Sequence, residues 1–238
     1  MNIKKNKAPI LNRPVFTVDG KLNEKLDDIE IFKLMNKPHF SLFLGKAGSG
    51  KSSLIISLLN SKRNESFKKV FHDIIIFIPP NSRQSIKNDF WGSHLDEDNI
   101  YDELTLENLY DAYNKAEMNA QEGYKTLIIL DDVQKNIKGE NEKLLLHMVN
   151  NRRHAHLCIW IAAQNYFSLT KQIRSALTDL WIFKVNKTEM ENIFNEQVEI
   201  PKDKFNMILD KTFKNPNEFI YLNSNSQKIF YNFDEVII

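Results

Sequence analysis

Five short, nearly unbroken apolar runs set the rhythm of the chain, and between them the apolar positions fall into helical spacing. The runs are Phe40 to Leu44, Ile74 to Ile78 introduced by Asp73, Thr126 to Leu130, Leu157 to Ala163, and Leu180 to Val185. Each is apolar on both faces, as a strand covered on both sides of a parallel sheet must be. The stretches between them read as amphipathic helices. Leu54, Ile55, Leu58 and Leu59 share one face of Ser52 to Asn60. Leu106, Leu109, Tyr113 and Ala116 align over Leu104 to Ala120, and Leu144, Leu145, Met148 and Val149 over Asn141 to Asn150. Leu169, Ile173 and Leu177 are in phase over Ser168 to Thr178, and Thr188 to Val198 and Lys202 to Lys211 are helical in character. Strands alternating with helices predict an α/β fold, a mostly parallel central sheet flanked by helices on both faces. Glu218 to Leu222 and Lys228 to Phe233, separated by Asn223-Ser224-Asn225-Ser226, add a C-terminal β-hairpin.

The N-terminal part departs from this rhythm. Residues 1 to 13, MNIKKNKAPILNR, read as a loose basic arm, and Ile29 to Met35 as an apolar extension that packs on the core. The chain thus divides into an arm and packing extension over 1–38 and one domain over 39–238. The polar stretch Asn81 to Asn99, with Phe90-Trp91-Gly92 inside it, reads as a surface loop with one aromatic anchor.

Composition narrows the function classes. With 32 Lys and Arg against 31 Asp and Glu, the net charge is +1, so no global field holds the chain on a polyanion. Contact with nucleic acid has to come from local basic clusters. A single cysteine, Cys158, lies inside an apolar run, which excludes an intrachain disulfide and suits a reducing compartment. No apolar stretch approaches the ~20 residues of a membrane span, and the Lys-rich start leads into no signal-like segment. A soluble intracellular protein is expected.

The chemistry concentrates after the first strand. Gly45-Lys46-Ala47-Gly48-Ser49-Gly50-Lys51-Ser52-Ser53 satisfies G-x-x-x-x-G-K-[ST], between a buried strand and an amphipathic helix where that motif belongs. Its glycines let the backbone wrap a phosphate chain, with N–H groups and the helix dipole facing the oxygens. Lys51 is placed to reach the β- and γ-phosphates of a nucleotide, and Ser52 to offer its hydroxyl to Mg²⁺. Downstream, Leu127-Ile128-Ile129-Leu130 ends in Asp131-Asp132. Asp131 is the candidate second Mg²⁺ ligand, and Asp132 the candidate that orients or deprotonates an attacking water. Gln164, closing the fourth strand, can touch both the γ-phosphate and that water. Arg152 and Arg153 close the helix after the acids, where cations also suit a helix C-terminus. An arginine near a subunit boundary can instead enter a neighbour's site, and Arg174 is a further candidate.

Taken together, GKAGSGKS, LIILDD, Asn151-Arg152-Arg153-His154, the fourth strand ending in Gln164 and Ile173-Arg174-Ser175 resemble the genome-packaging ATPases of large double-stranded DNA viruses and virophages. These are similar to the poxvirus packaging ATPase and belong to the FtsK-HerA superfamily of DNA pumps. The resemblance covers roughly Phe40 to Val185. It implies a RecA/ASCE-like P-loop NTPase fold with an additional strand-separated nucleotide site. It further implies ATP and Mg²⁺ as cofactors, a ring homo-oligomer of five or six subunits, Gln164 as sensor and Arg153 as an arginine supplied in trans, with Arg152 and Arg174 in reserve. Double-stranded DNA and capsid or portal-region proteins are the implied partners, in the host cytoplasm, a viral factory or the virion. One departure stands out: related motors often use Glu where this chain has the shorter Asp132.

The expectation is therefore an ATP-driven double-stranded DNA translocase that packages a viral genome. Two alternatives stay open at this point, a cellular or plasmid DNA-pumping ATPase and a nucleotide-switched binding module with slow turnover. Stimulation of hydrolysis by long duplex DNA separates a motor from a switch.

Overall fold

A computed structural model of the chain describes residues 2–4, 30–35, 37–60, 71–86 and 89–237. Ten strands form one sheet: β1 (Asn2–Lys4), β2 (Phe40–Leu44), β3 (Asp73–Phe77), β4 (Ile100–Tyr101), β5 (Thr126–Asp131), β6 (Leu157–Ala163), β7 (Asp179–Phe183), β8 (Phe219–Asn223), β9 (Lys228–Tyr231) and β10 (Asp234–Ile237). Their order across the sheet is β1-β10-β9-β8-β7-β2-β6-β5-β3-β4. From β7 to β4 every neighbouring pair is parallel, and from β7 to β1 every pair is antiparallel.

The expected mostly parallel sheet is present, and the register explains why the runs looked apolar throughout. Phe40, Leu42 and Leu44 of β2 face one hydrophobic layer together with Ile128 and Leu130 of β5 and Ile159 and Ile161 of β6. Phe43, Leu127, Ile129, Trp160 and Ala162 face the opposite layer. Alternate residues thus serve two cores, which leaves no polar face. The first core is closed by helices α5 (Leu106–Gln121), α6 (Glu140–Asn151), α7 (Lys171–Ser175), α8 (Lys187–Gln197) and α9 (Lys202–Lys211). The second is closed by α1 (Glu30–Leu34), α2 (Lys51–Asn60) and α4 (Phe90–His94), while α3 (Pro80–Gln84) stands at the end of β3.

The edges differ from expectation. The terminal hairpin is extended by a third strand, β10, turned at Asn232 with φ 54°, and β1 pairs with β10. Asp234-Glu235-Val236-Ile237 hides from a periodicity reading because only Val236 of the four is buried. Asn2 to Lys4, read as part of a loose arm, is therefore the outermost strand; the rest of that arm and Pro14 to Asp27 lie outside the described residues. The stretch read as a polar loop forms α3 and α4, because Trp91 is fully buried and draws the segment onto the core. The helix expected over Ser168 to Thr178 is confined to Lys171–Ser175, capped by Thr170.

The antiparallel half is tied to the parallel half through Trp181. Its ring is fully buried and stacks on Phe43 at 5.6 Å between centroids, with Tyr221 at 4.6 Å and Phe219 at 5.4 Å on its other side. Trp181→Ala empties this junction and is expected to cost about 3–5 kcal/mol, read as a shift in the midpoint of denaturant unfolding.

Candidate functional site

The parallel order places the chemistry. β2, β6 and β5 lie side by side and run the same way, so the segments that leave their C-terminal ends share one rim. Register aligns Leu44 with Ala163 and Asp131 with Ala162. At this level the glycine-rich loop leaves β2, Gln164 leaves β6 and Asp132 leaves β5. β6 separates the strand of the loop from the strand of the acids, as the resemblance implied.

The loop is held as a compact wrap. The amide of Gly45 donates to Ala163 O at 3.1 Å, Ser49 N to Lys46 O at 3.2 Å, and Leu54 N to Gly50 O at 2.8 Å, which starts α2. Gly48 and Gly50 take φ of 73° and 105°, which residues with a Cβ rarely adopt. Gly45 is required for a different reason: a Cβ there would lie 2.6 Å from Ser49 Oγ and 2.7 Å from Phe183 Cβ. Lys46, Ala47 and Gly48 are exposed, and Ser49, Lys51, Ser52 and Ser53 half-buried. Ser49 Oγ is buried without a hydrogen-bond partner.

The charged pair at the back of the rim is withdrawn from water. Lys51 Nζ donates to the carbonyls of Gly45 at 2.8 Å and Lys46 at 3.0 Å. Burial lowers its pKa, opposed by the nearby carboxylates of Asp131 and Asp132. Asp131 is 4% exposed. Burial raises its pKa, opposed by a hydrogen bond from Ser52 and by the charge of Lys51. The cation is thus held short of its usual basicity. The Asp131 carboxylate and the Ser52 hydroxyl, neighbours at this rim and both hard oxygen donors, fit Mg²⁺, so Asp131 and Ser52 are the residues that would hold it.

Asp132 is exposed and leaves the strand with φ 59°. Its Oδ1 accepts from Gln164 Nε2 at 3.3 Å and its Oδ2 from Ser82 Oγ at 2.8 Å. The two residues that sequence placed at the attacking water are therefore in contact with each other. Ser82 was passed over, since the Pro79-Pro80 stop that precedes it marks only a strand end. Asn217 was also missed: its Oδ1 lies 3.3 Å from where a Cβ of Gly50 would be, and no local pattern announced it.

Arg152 and Arg153 are not at this rim, and Arg174 is engaged within the chain. Arg152 Nη1 turns back onto Val149 O at 2.7 Å, and burial, together with the charge of Arg153, lowers its pKa. Arg153 is exposed. Both precede β6, which climbs from Leu157 to Ala163, so they sit roughly 20 Å from Gln164 at ~3.3 Å per residue. Arg174 forms a two-pronged pair with Glu196, Nε to Oε2 at 2.9 Å and Nη2 to Oε1 at 3.0 Å, and donates to Leu169 O at 2.8 Å. Its guanidinium also lies 5.0 Å from the Tyr166 ring and 5.1 Å from that of Phe167.

Comparison with known proteins places this geometry. The family model described as Poxvirus A32 protein matches residues 28–228. The uncharacterized protein 015R of Frog virus 3 (isolate Goorha) is 27% identical over 179 residues, which is 72% of this chain and 52% of that relative. The chain thus spans about half the length of the curated relative it matches. Among solved structures, B204, the DNA-packaging ATPase of Sulfolobus turreted icosahedral virus, superposes with a TM-score of 0.60 at 19% identity, over 83% of this chain and 98% of B204. The B204 genome-packaging NTPase of Sulfolobus turreted icosahedral virus 2, in complex with AMP, gives 0.56 at 17% identity, covering 82% and 96%. EssC (ATPases 2 and 3) of Geobacillus thermodenitrificans gives 0.53 at 13% identity, covering 85% of this chain and 39% of EssC. At such identities the likeness is one of fold.

Gly45→Ala forces the loop away from Ser49 and Phe183. Nucleotide affinity is expected to fall at least ~10-fold, about 1.4 kcal/mol, in a fluorescent-nucleotide titration. The fold should survive, because the overpacking is confined to one rim, with a cost of about 1–3 kcal/mol in a thermal melt.

Proposed function

The chain belongs to the Poxvirus A32 protein family, and from that premise we propose that it is an Mg²⁺-dependent ATPase that drives double-stranded DNA into a viral capsid. The observation that carries the reading is the meeting, on one rim, of the phosphate loop, the Asp131–Ser52 contact and the Asp132–Gln164 contact.

The loop amides and Lys51 bind the phosphate chain, with Lys51 leaving its carbonyl partners for the β- and γ-oxygens. Bound by Asp131 and Ser52, Mg²⁺ would neutralise charge on the phosphate oxygens. Asp132 and Gln164 orient a water in line with the γ-phosphorus. The water's oxygen bonds to phosphorus as the bond to the ADP oxygen breaks, and the water's proton passes by way of Asp132 to solvent. Positioning and charge neutralisation do most of this work.

Arg153 completes the site in trans. Its exposed place, a strand's length from its own rim, supports a ring in which each subunit offers it to the next. Arg152 and Arg174 are occupied within the chain, which favours Arg153 for that role. DNA contact falls on phosphates and is sensitive to salt, with basic residues gathered by the ring because the chain itself is nearly neutral. Capsid or portal-region proteins receive the DNA, in the host cytoplasm or a viral factory.

Steady-state hydrolysis with and without long duplex DNA tests the proposal. Wild type should be faster with DNA at low salt, the gain fading as salt rises, and Lys51→Ala should lose turnover in both conditions. Turnover indifferent to DNA would turn the reading to a nucleotide-switched module. When Arg153→Ala is mixed into wild type, activity should fall more steeply than the mutant fraction, since each mutant subunit disables a neighbour.

A further inference from the structure

We propose that Ser82 is a positioning residue for Asp132, so that α3 belongs to the catalytic rim. The inference rests on the reading of Asp132 as the residue that orients the attacking water. β5 lies between β6 and β3, and the carboxylate of Asp132 spans the same three strands. Oδ1 faces Gln164 at the end of β6, toward the phosphate loop, and Oδ2 is taken by Ser82 beyond the end of β3, on the far side. One oxygen is anchored and the other is thereby aimed. Asp132 has a short side chain and springs here from a left-handed backbone, so its carboxylate is placed by its partners and not by reach. A second donor places it instead. Since a carboxylate has about four lone-pair sites, two remain for water after Gln164 and Ser82 have donated.

Ser82 is itself held firmly enough for the task. α3 begins after Pro79 with Pro80 in its first turn, where the fixed φ of proline suits a helix start. Arg83 ties the turn down, donating from Nε and Nη2 to Asp89 at 3.0 and 2.8 Å and from Nη2 to Glu97 at 3.0 Å. Ser85 Oγ donates to Ser82 O at 2.7 Å, and Trp91 buries the following helix in the core. The hydroxyl is therefore presented by a braced element.

A double-mutant cycle on hydrolysis tests this. Ser82→Ala should lower kcat about 3- to 10-fold, the loss of one solvent-exposed hydrogen bond, with KM for ATP within about twofold. Ser82→Thr should restore kcat, and Ser82→Ala added to Asp132→Asn should lower it no further. A Ser82→Ala enzyme at or above the wild-type rate, a threonine variant that does not recover, or additive losses in the Asp132→Asn background would each overturn the inference. Thermal melting and nucleotide binding report whether each variant folds. If Ser82→Ala does not, Ser82→Cys, near-isosteric with a weaker donor, should show the same drop in kcat, and a wild-type rate there overturns the proposal. Lys51→Ala separates the two readings. Wild-type turnover that survives Lys51→Ala sinks the ATPase reading and this inference with it. Turnover that Lys51→Ala abolishes and Ser82→Ala leaves alone sinks only the inference.

Discussion

An ammonium and a carboxylate drawn out of water at one end of a sheet set the terms for the rest of this structure. Lys51 and Asp131 are each shifted toward their neutral forms by burial. Such withdrawal is tolerated only where hydrogen bonds compensate for lost hydration. The compensation comes from backbone carbonyls of Gly45 and Lys46 for the cation and from Ser52 for the anion. Lys51 and the neighbouring carboxylates also attract one another, which opposes part of each shift. On the proposed reading, a bound phosphate chain brings further negative charge beside Lys51, which is why the rim would receive an anion.

A rim that stores desolvation cost needs a rigid floor, and the opposite end of the sheet provides it. Asp179, at the start of β7, is 1% exposed and accepts from Asn223 at 2.8 Å, from Thr178 at 2.6 Å and from Tyr221. Burial and the adjacent Asp179 push the Tyr221 phenol well above its ordinary pKa, so it donates as a neutral group. Trp160 Nε1 donates to His39 Nε2 at 2.7 Å, while His39 Nδ1 donates to Lys37 O at 2.8 Å. These bonds tie the start of β7 to the end of β8 and the entry of β2 to the middle of β6, and the paired strands carry their register to the far ends, where the loop and Gln164 emerge. Fully satisfied buried networks specify one arrangement, whereas the functional rim is left open.

How far the sequence revealed all this depended on the range of each interaction. The five core strands were legible because each serves two hydrophobic layers within a handful of residues. The phosphate loop was legible because its glycines, lysine and serine answer to one contiguous wrap. Gln164 and Asp132 were each visible as strand ends, but their contact depends on β6 lying beside β5, which topology decides. Ser82 escaped for the same reason, fifty residues from its partner. Arg174 shows the converse. Its residue type and place suited a free cation, yet Glu196, on a helix beyond the next strand, occupies it, and no local spacing announces that pairing. Strands β1 and β10 stayed hidden because both are short and β10 buries only Val236, too little apolar pattern for a sequence to announce.

The polarity of the parallel sheet bears finally on assembly. Every group proposed to act on the nucleotide leaves the C-terminal ends of β2, β6, β5 and β3, while Arg153 stands at the N-terminal end of β6. Exposed there, it has no phosphate of its own chain within reach. On the proposed reading, one surface of the subunit must then meet a different surface of its neighbour, the head-to-tail arrangement that closes into rings when the rotation permits. On that reading, the two ends of one strand carry complementary parts of a single reaction, which is the physical argument for an assembly in which subunits complete one another's sites, whatever their number.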